Sequence, residues 1–94
     1  MSITSQDVDW DNIQREAEPD PIEYRIVNYT ISNGEVNFAE LNKEMDVKDI
    51  DITRSLSNLS DSGILREIRR EDTEYAEGKY ERPSYCIDVN FVDI

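Results

Sequence analysis

Between Val36 and Leu65 the chain reads VNFAELNKEMDVKDIDITRSLSNLSDSGIL, and this stretch admits few folds. Asn37 followed three residues later by Glu40 is a helix-capping signature. A helix is therefore predicted to start there, bury Phe38 and Leu41, and end near Met45. Asp46 occupies the following turn and Val47 is its inward apolar plug, while Asp49 is placed to satisfy the free amides that open a second helix. Gly63 supplies the left-handed residue that commonly ends a helix, and Ile64 and Leu65 resume an apolar run in a chain that must now extend.

The second helix, from Asp49 to Ser62, has its apolar residues Ile52, Leu56 and Leu59 at spacings of four and three, with Ile50 off the stripe. One narrow face can pack on a core. The opposite face is read as Asp51, Arg54, Ser55 and Asn58. Short polar side chains around one arginine suit the major groove of DNA, and they equally suit an ordinary solvated helix.

The remaining segments read as parts packed against this pair. Asp20-Pro21-Ile22-Glu23 combines a capping aspartate, a proline at the first helical position and a glutamate three residues after the cap. The helix it opens carries Ile22, Ile26, Val27, Tyr29 and Ile31 and stops at Asn33-Gly34, leaving Glu35-Val36 as a short extended link. Residues 1–19 form a polar lead in which Trp10, Ile13 and Ala17 fall at helical spacings, as a short docking helix would place them. After Gly63, ILREIRRED reads as a strand, TEYAEGKYERP as a turn-rich connection, and SYCIDVNFVDI as a second strand with Tyr85, Ile87, Val89 and Phe91 on one face. The predicted organisation is a polar lead over 1–19, a domain over 20–88, and a C-terminal strand extension over 89–94.

Composition limits the chemistry. The 94 residues include no histidine and a single cysteine, Cys86, so an internal disulfide, a zinc site and a histidine-based triad are not expected. Three scattered glycines make no phosphate loop, and no carboxylate pair is set apart by apolar surroundings. The chain is read as a non-enzyme without cofactor or metal. Its N-terminal residues lack the basic and apolar regions of a signal peptide and no run is long enough to span a membrane, so a cytoplasmic protein is expected. Apolar residues make up 37% of the chain, against about 45–50% in typical globular domains. A small core completed by a second copy, a homodimer, follows as an expectation.

Asp and Glu number 22 against 10 Lys and Arg, a net charge of −12. That charge opposes nucleic-acid binding in ordinary salt. The acid is spread along the whole chain, however, and lysine is scarcer than arginine, as on protein surfaces from extreme halophiles. At roughly 1 M salt the Debye length is about 3 Å, and only local contacts count. The other reading of the same charge is a dock for a basic protein.

From Ile22 to Tyr85 the sequence resembles the winged helix-turn-helix domains of archaeal and bacterial transcriptional regulators of the MarR and ArsR kind, and especially the small winged-helix proteins of haloarchaea. The residues that carry the likeness are EYRIVNYTISNG, FAELNKEMDV, DITRSLSNLSDSGIL with its Thr53-Arg54 pair, and a wing that ends in Tyr before an apolar strand. The resemblance implies a mainly α fold with a small β wing, a three-helix core plus a β-hairpin. It implies double-stranded DNA as partner, with the third helix in the major groove and the wing on the backbone. By position, Lys48, Thr53, Arg54, Ser55 and Asn58 become the recognition-helix candidates and Arg69, Arg70, Lys79 and Arg82 the wing candidates. Asp49 and Asp51 depart from the small or hydroxyl residues usual in that family. The alternative is a winged helix that binds protein through its acidic surface.

Overall fold

The computed structural model describes residues 5–68 and 83–92. Four helices, α1 (Trp10–Ala17), α2 (Pro21–Asn33), α3 (Phe38–Glu44) and α4 (Asp49–Asp61), enclose a core closed on one side by a three-stranded antiparallel sheet of β1 (Val36–Asn37), β2 (Leu65–Ile68) and β3 (Ser84–Ile87). Short 3-10 turns flank these elements at Ser5–Asp7 and Val89–Phe91.

The helices begin where side chains can serve their free amides. Asp20 Oδ1 accepts from Glu23 N at 2.8 Å and Glu23 Oε1 accepts from Asp20 N at 3.1 Å, a complete capping box with Pro21 at the first position of α2. Asn37 Oδ1 accepts from Glu40 N at 2.9 Å and opens α3, and Asp9 Oδ1 accepts from Asn12 N at 3.1 Å and opens α1. Each such cap contributes about 1 kcal/mol. α2 stops at Gly34 with φ +79 and α4 runs out through Gly63 with φ +82, a backbone region that side chains with a Cβ enter only with strain. Past Gly63 the Ile64 amide donates back to Leu59 O at 3.0 Å, which satisfies a late carbonyl of α4 and aims the chain into β2.

The core gathers Ile26, Val27 and Ile31 from α2, Leu41 from α3, Ile52, Leu56 and Leu59 from α4, and Val36, Ile64, Leu65 and Ile87 from the sheet and its approach. Val8, Ile13 and Phe91 belong to the same cluster, so the chain before α2 and the chain after β3 both pack into it. They are joined directly: Asp9 N donates to Phe91 O at 2.8 Å and Val8 pairs with Val92 in an antiparallel bridge. α1 exists at the spacing predicted for it, with Ile13 fully buried and Trp10 and Ala17 packed on the core's margin.

The sheet has the order β1-β3-β2, with the last strand in the middle. Val36 lies opposite Tyr85, and Leu65, Arg66, Glu67 and Ile68 lie opposite Ile87, Cys86, Tyr85 and Ser84. The link read at Glu35-Val36 thus gains a strand partner at Val36. Ile64, read as part of the second strand pair's first member, precedes β2 and is wholly buried.

The C-terminal strand expected to carry Val89 and Phe91 on one face ends at Ile87. Asp88 Oδ1 accepts from Asn90 N at 2.9 Å and turns the backbone into a 3-10 turn. The turn leaves Val89 69% exposed while Phe91 is buried.

Candidate nucleic-acid interface

Rotating α4 about its axis is constrained by Ile52, Leu56 and Leu59, each at most 4% exposed. Exposing any one of them would forfeit about 1.5–3 kcal/mol, so the helix is held with the opposite arc outward. That arc consists of Asp49, Ile50, Thr53, Arg54, Ser57, Asn58 and Asp61, all exposed. α3 precedes it across Met45, Asp46 and Val47, where Met45 is buried and Val47 packs half-buried on the core, as the plug role predicts.

Four of the five recognition-helix candidates, Lys48, Thr53, Arg54 and Asn58, are exposed on or at the start of α4. Ser55 is a correction. It is only 3% exposed and belongs to the core-facing side, because position 55 flanks Leu59 at the edge of the buried stripe, one turn from both Ile52 and Leu59, and a small side chain fits where α4 packs against its neighbours. The outward position that a wheel centred on the buried stripe picks out is Ser57, one turn from both Thr53 and Arg54. Ile50, 63% exposed near the middle of the same arc, was left unassigned by the stripe. The wing candidates Arg69, Arg70, Lys79 and Arg82 lie outside the described residues.

The start of α4 also differs from expectation. Lys48, rather than Asp49, occupies the capping position, and its side chain makes no capping hydrogen bond. Its carbonyl accepts from Asp51 N at 3.0 Å and Ile52 N at 3.2 Å. Asp49 and Asp51 lie in the first turn, where the helix dipole favours carboxylates. A lysine at the cap is the reverse case. It lacks the short acceptor that stabilises this position and puts a cation beside the positive end of the dipole. This helix start is therefore not the one stability alone would select.

Arg54 forms no ion pair with Asp51 and no hydrogen bond with Asn58 among the described residues, and the Thr53, Ser57 and Asn58 side chains likewise have no hydrogen bond there. The arc thus offers one guanidinium, two hydroxyls, one amide, two carboxylates and the Ile50 side chain to whatever meets it. On the sheet, Arg66 is exposed and points its Nη2 at Cys86 Sγ, 3.8 Å away on the neighbouring strand. Among the described residues no three His, Cys, Asp or Glu side chains gather as a metal site.

No protein-family model matches the chain, and no curated protein matches it.

Among the described residues two ionisable groups shift on folding. Burial pushes the Glu23 carboxyl up from its ordinary value, with the Asp20 charge adding to the effect and the Asp20 amide opposing it. Burial, together with the carboxylates of Glu44 and Glu40, pushes the Tyr29 phenol up, so it stays neutral in the ordinary range. Neither lies on the α4 arc. No helix among the described residues is long and apolar enough to cross a membrane.

Proposed function

We propose that the chain is a winged helix-turn-helix protein that binds double-stranded DNA in a sequence-selective way and regulates transcription by occupancy, with α4 in the major groove and the segment joining β2 to β3 as the wing. The observation that carries the reading is the outward arc of α4. It is a helix face whose position is dictated by the core behind it, and its guanidinium, hydroxyls and amide are uncommitted within the described residues. The order α2-β1-α3-α4-β2-β3 with β3 between β1 and β2 supports it, since such an arrangement places two short helices in succession and a strand pair directly after the second.

Arg54 and Asn58 on the arc, and Lys48 before it, have uses in a groove. Arg54 can reach a phosphate or pair twice with a guanine edge, and Asn58 can pair twice with an adenine. Lys48 at the head of the helix is placed for a phosphate. The net charge of −12 is met by working at high salt, where repulsion at a distance is screened.

The test is fluorescence-anisotropy binding to a random-sequence duplex pool from roughly 0.2 to 3 M KCl, with wild type beside Arg54→Ala. Wild type should retain particular duplexes, and Arg54→Ala should lose about 1–3 kcal/mol on them. The salt slope gives the number of phosphates contacted at about 0.9 per contact. Folded protein that retains no duplex at any salt defeats the proposal.

A second reading, a module that docks a basic protein, is favoured by one specific combination: the acidic surface and the exposed apolar side chain of Val89. Replacing Asp49 and Asp51 by serine separates the two. The change tightens DNA binding at low salt if DNA is the partner and weakens binding of a basic protein if that is.

A further inference from the structure

Ile50 is not needed where it stands. It is 63% exposed, contributes nothing to the buried stripe of α4, and is a β-branched residue at an exposed helical position, where straight-chain polar residues are better helix formers. A single exposed isoleucine is ordinary on a protein surface. What sets this one apart is its surroundings: it sits in the first turn of α4, on the midline of the outward arc, with Asp46 and Asp49 before it, Thr53 and Arg54 three and four residues on and Ser57 a turn beyond, all exposed, and with Thr53, Arg54 and Ser57 without side-chain partners among the described residues. The arc here is an apolar knob with hydroxyl and guanidinium groups on its C-terminal side and carboxylates on its N-terminal side.

The complementary surface is a methyl group set among hydrogen-bond acceptors. The major-groove edge of a T·A pair has that pattern, with the thymine C5 methyl beside thymine O4 and adenine N7, and no other base pair of DNA presents a methyl there. We infer that Ile50 is a specificity-determining residue that reads thymine, packing its side-chain methyls on the C5 methyl while Arg54 takes the acceptors of a nearby guanine. The inference rests on the DNA-binding reading above and deepens it. Positions 50 and 54 are about 6 Å apart along the helix and lie on one face of it. The thymine and the guanine they meet are therefore close neighbours in the preferred duplex.

The experiment begins from duplexes that wild type selects from a random pool at about 1 M KCl. Each thymine in a selected duplex is replaced singly by deoxyuridine, which removes the methyl and leaves every hydrogen-bonding group in place. Binding is measured for wild type and for Ile50→Ala, whose folding is checked by circular dichroism. One thymine per α4 contact should be sensitive, its replacement weakening wild type about fourfold, the value of one buried methyl-sized group. The same replacement should leave Ile50→Ala unaffected, and Ile50→Ala should already bind the unmodified duplex at least as weakly as wild type binds the deoxyuridine form. Deoxyuridine effects that are absent, or equal in both proteins, overturn the thymine assignment while the DNA-binding reading stands. Failure of wild type to select any duplex overturns both and returns Ile50 to a protein contact. The wild-type arm does not depend on the variant folding.

Discussion

Glu23 shows how one side chain can serve a local structure at a cost set by its surroundings. Its carboxylate completes the cap of α2, yet it is only 5% exposed, and burial raises its pKa above the ordinary 4.5. An acid whose folded-state pKa lies above its unfolded value contributes most to stability when protonated. Its contribution is therefore complete below pH 4.5 and is lost as pH rises through the raised folded value. Glu23→Gln keeps a carbonyl to accept from the Asp20 amide and carries no charge to bury. The difference in unfolding free energy between wild type and Glu23→Gln should favour wild type most at low pH and shift toward the variant by neutral pH. Urea titrations of both proteins from below pH 4.5 to pH 7 give that difference directly, and the other carboxylates, common to both, cancel. Parallel curves would show that burial does not penalise this carboxylate.

Among the elements, α4 is the one whose sequence satisfies its fold least completely. Its start has no side-chain cap, and Lys48→Ser should supply one, raising stability by about 1 kcal/mol in chemical unfolding. If Lys48 meets a phosphate, the same variant binds duplex DNA more weakly and with a shallower salt dependence, so stability and binding move in opposite directions. An unchanged or lower unfolding midpoint would mean that the cap position does not accept a serine.

The same helix marks the limit of what could be read before folding. Helix starts at Asp20 and Asn37 and stops at Gly34 and Gly63 were legible because each rests on contacts within a few residues. So was the buried stripe of Ile52, Leu56 and Leu59, by its period. Ile50 off that stripe was legible too, and it is exposed; the orientation of Ser55 was not, since a polar residue here faces the core where α4 packs against α2, α3 and β2. The turn at Val89 was hidden for a related reason: alternation from Tyr85 to Phe91 continues a strand pattern, while a single bond from Asp88 to the Asn90 amide ends it. Thus of the four exposed candidates Arg54 and Asn58 were read from the helix face and Lys48 and Thr53 came by position from the family resemblance, while Ser57, which the period of the stripe already places outward, was passed over.

At the scale of the molecule, charge and connectivity dominate. A net charge of −12 on 94 residues opposes compaction by self-repulsion. Salt shortens the reach of that repulsion from about 10 Å at 0.1 M to about 3 Å at 1 M. The midpoint of thermal unfolding should climb steadily over that range of KCl. A flat profile would show that the acidic groups are already balanced within the fold.

The middle strand of the sheet is also the last one made. On a ribosome, β1 and β2 emerge before β3, the strand that pairs with both among the described residues, and the Phe91 carbonyl that receives the Asp9 amide comes later still. The helices can form as they appear, since their bonds are local, but the sheet must wait for Ser84–Ile87. A nascent chain cut short before β3 keeps its capping signals and loses the strand that closes its core. Closure of the core therefore waits until β3 has been made, and fragments released before it are the forms a cell's proteases should find first.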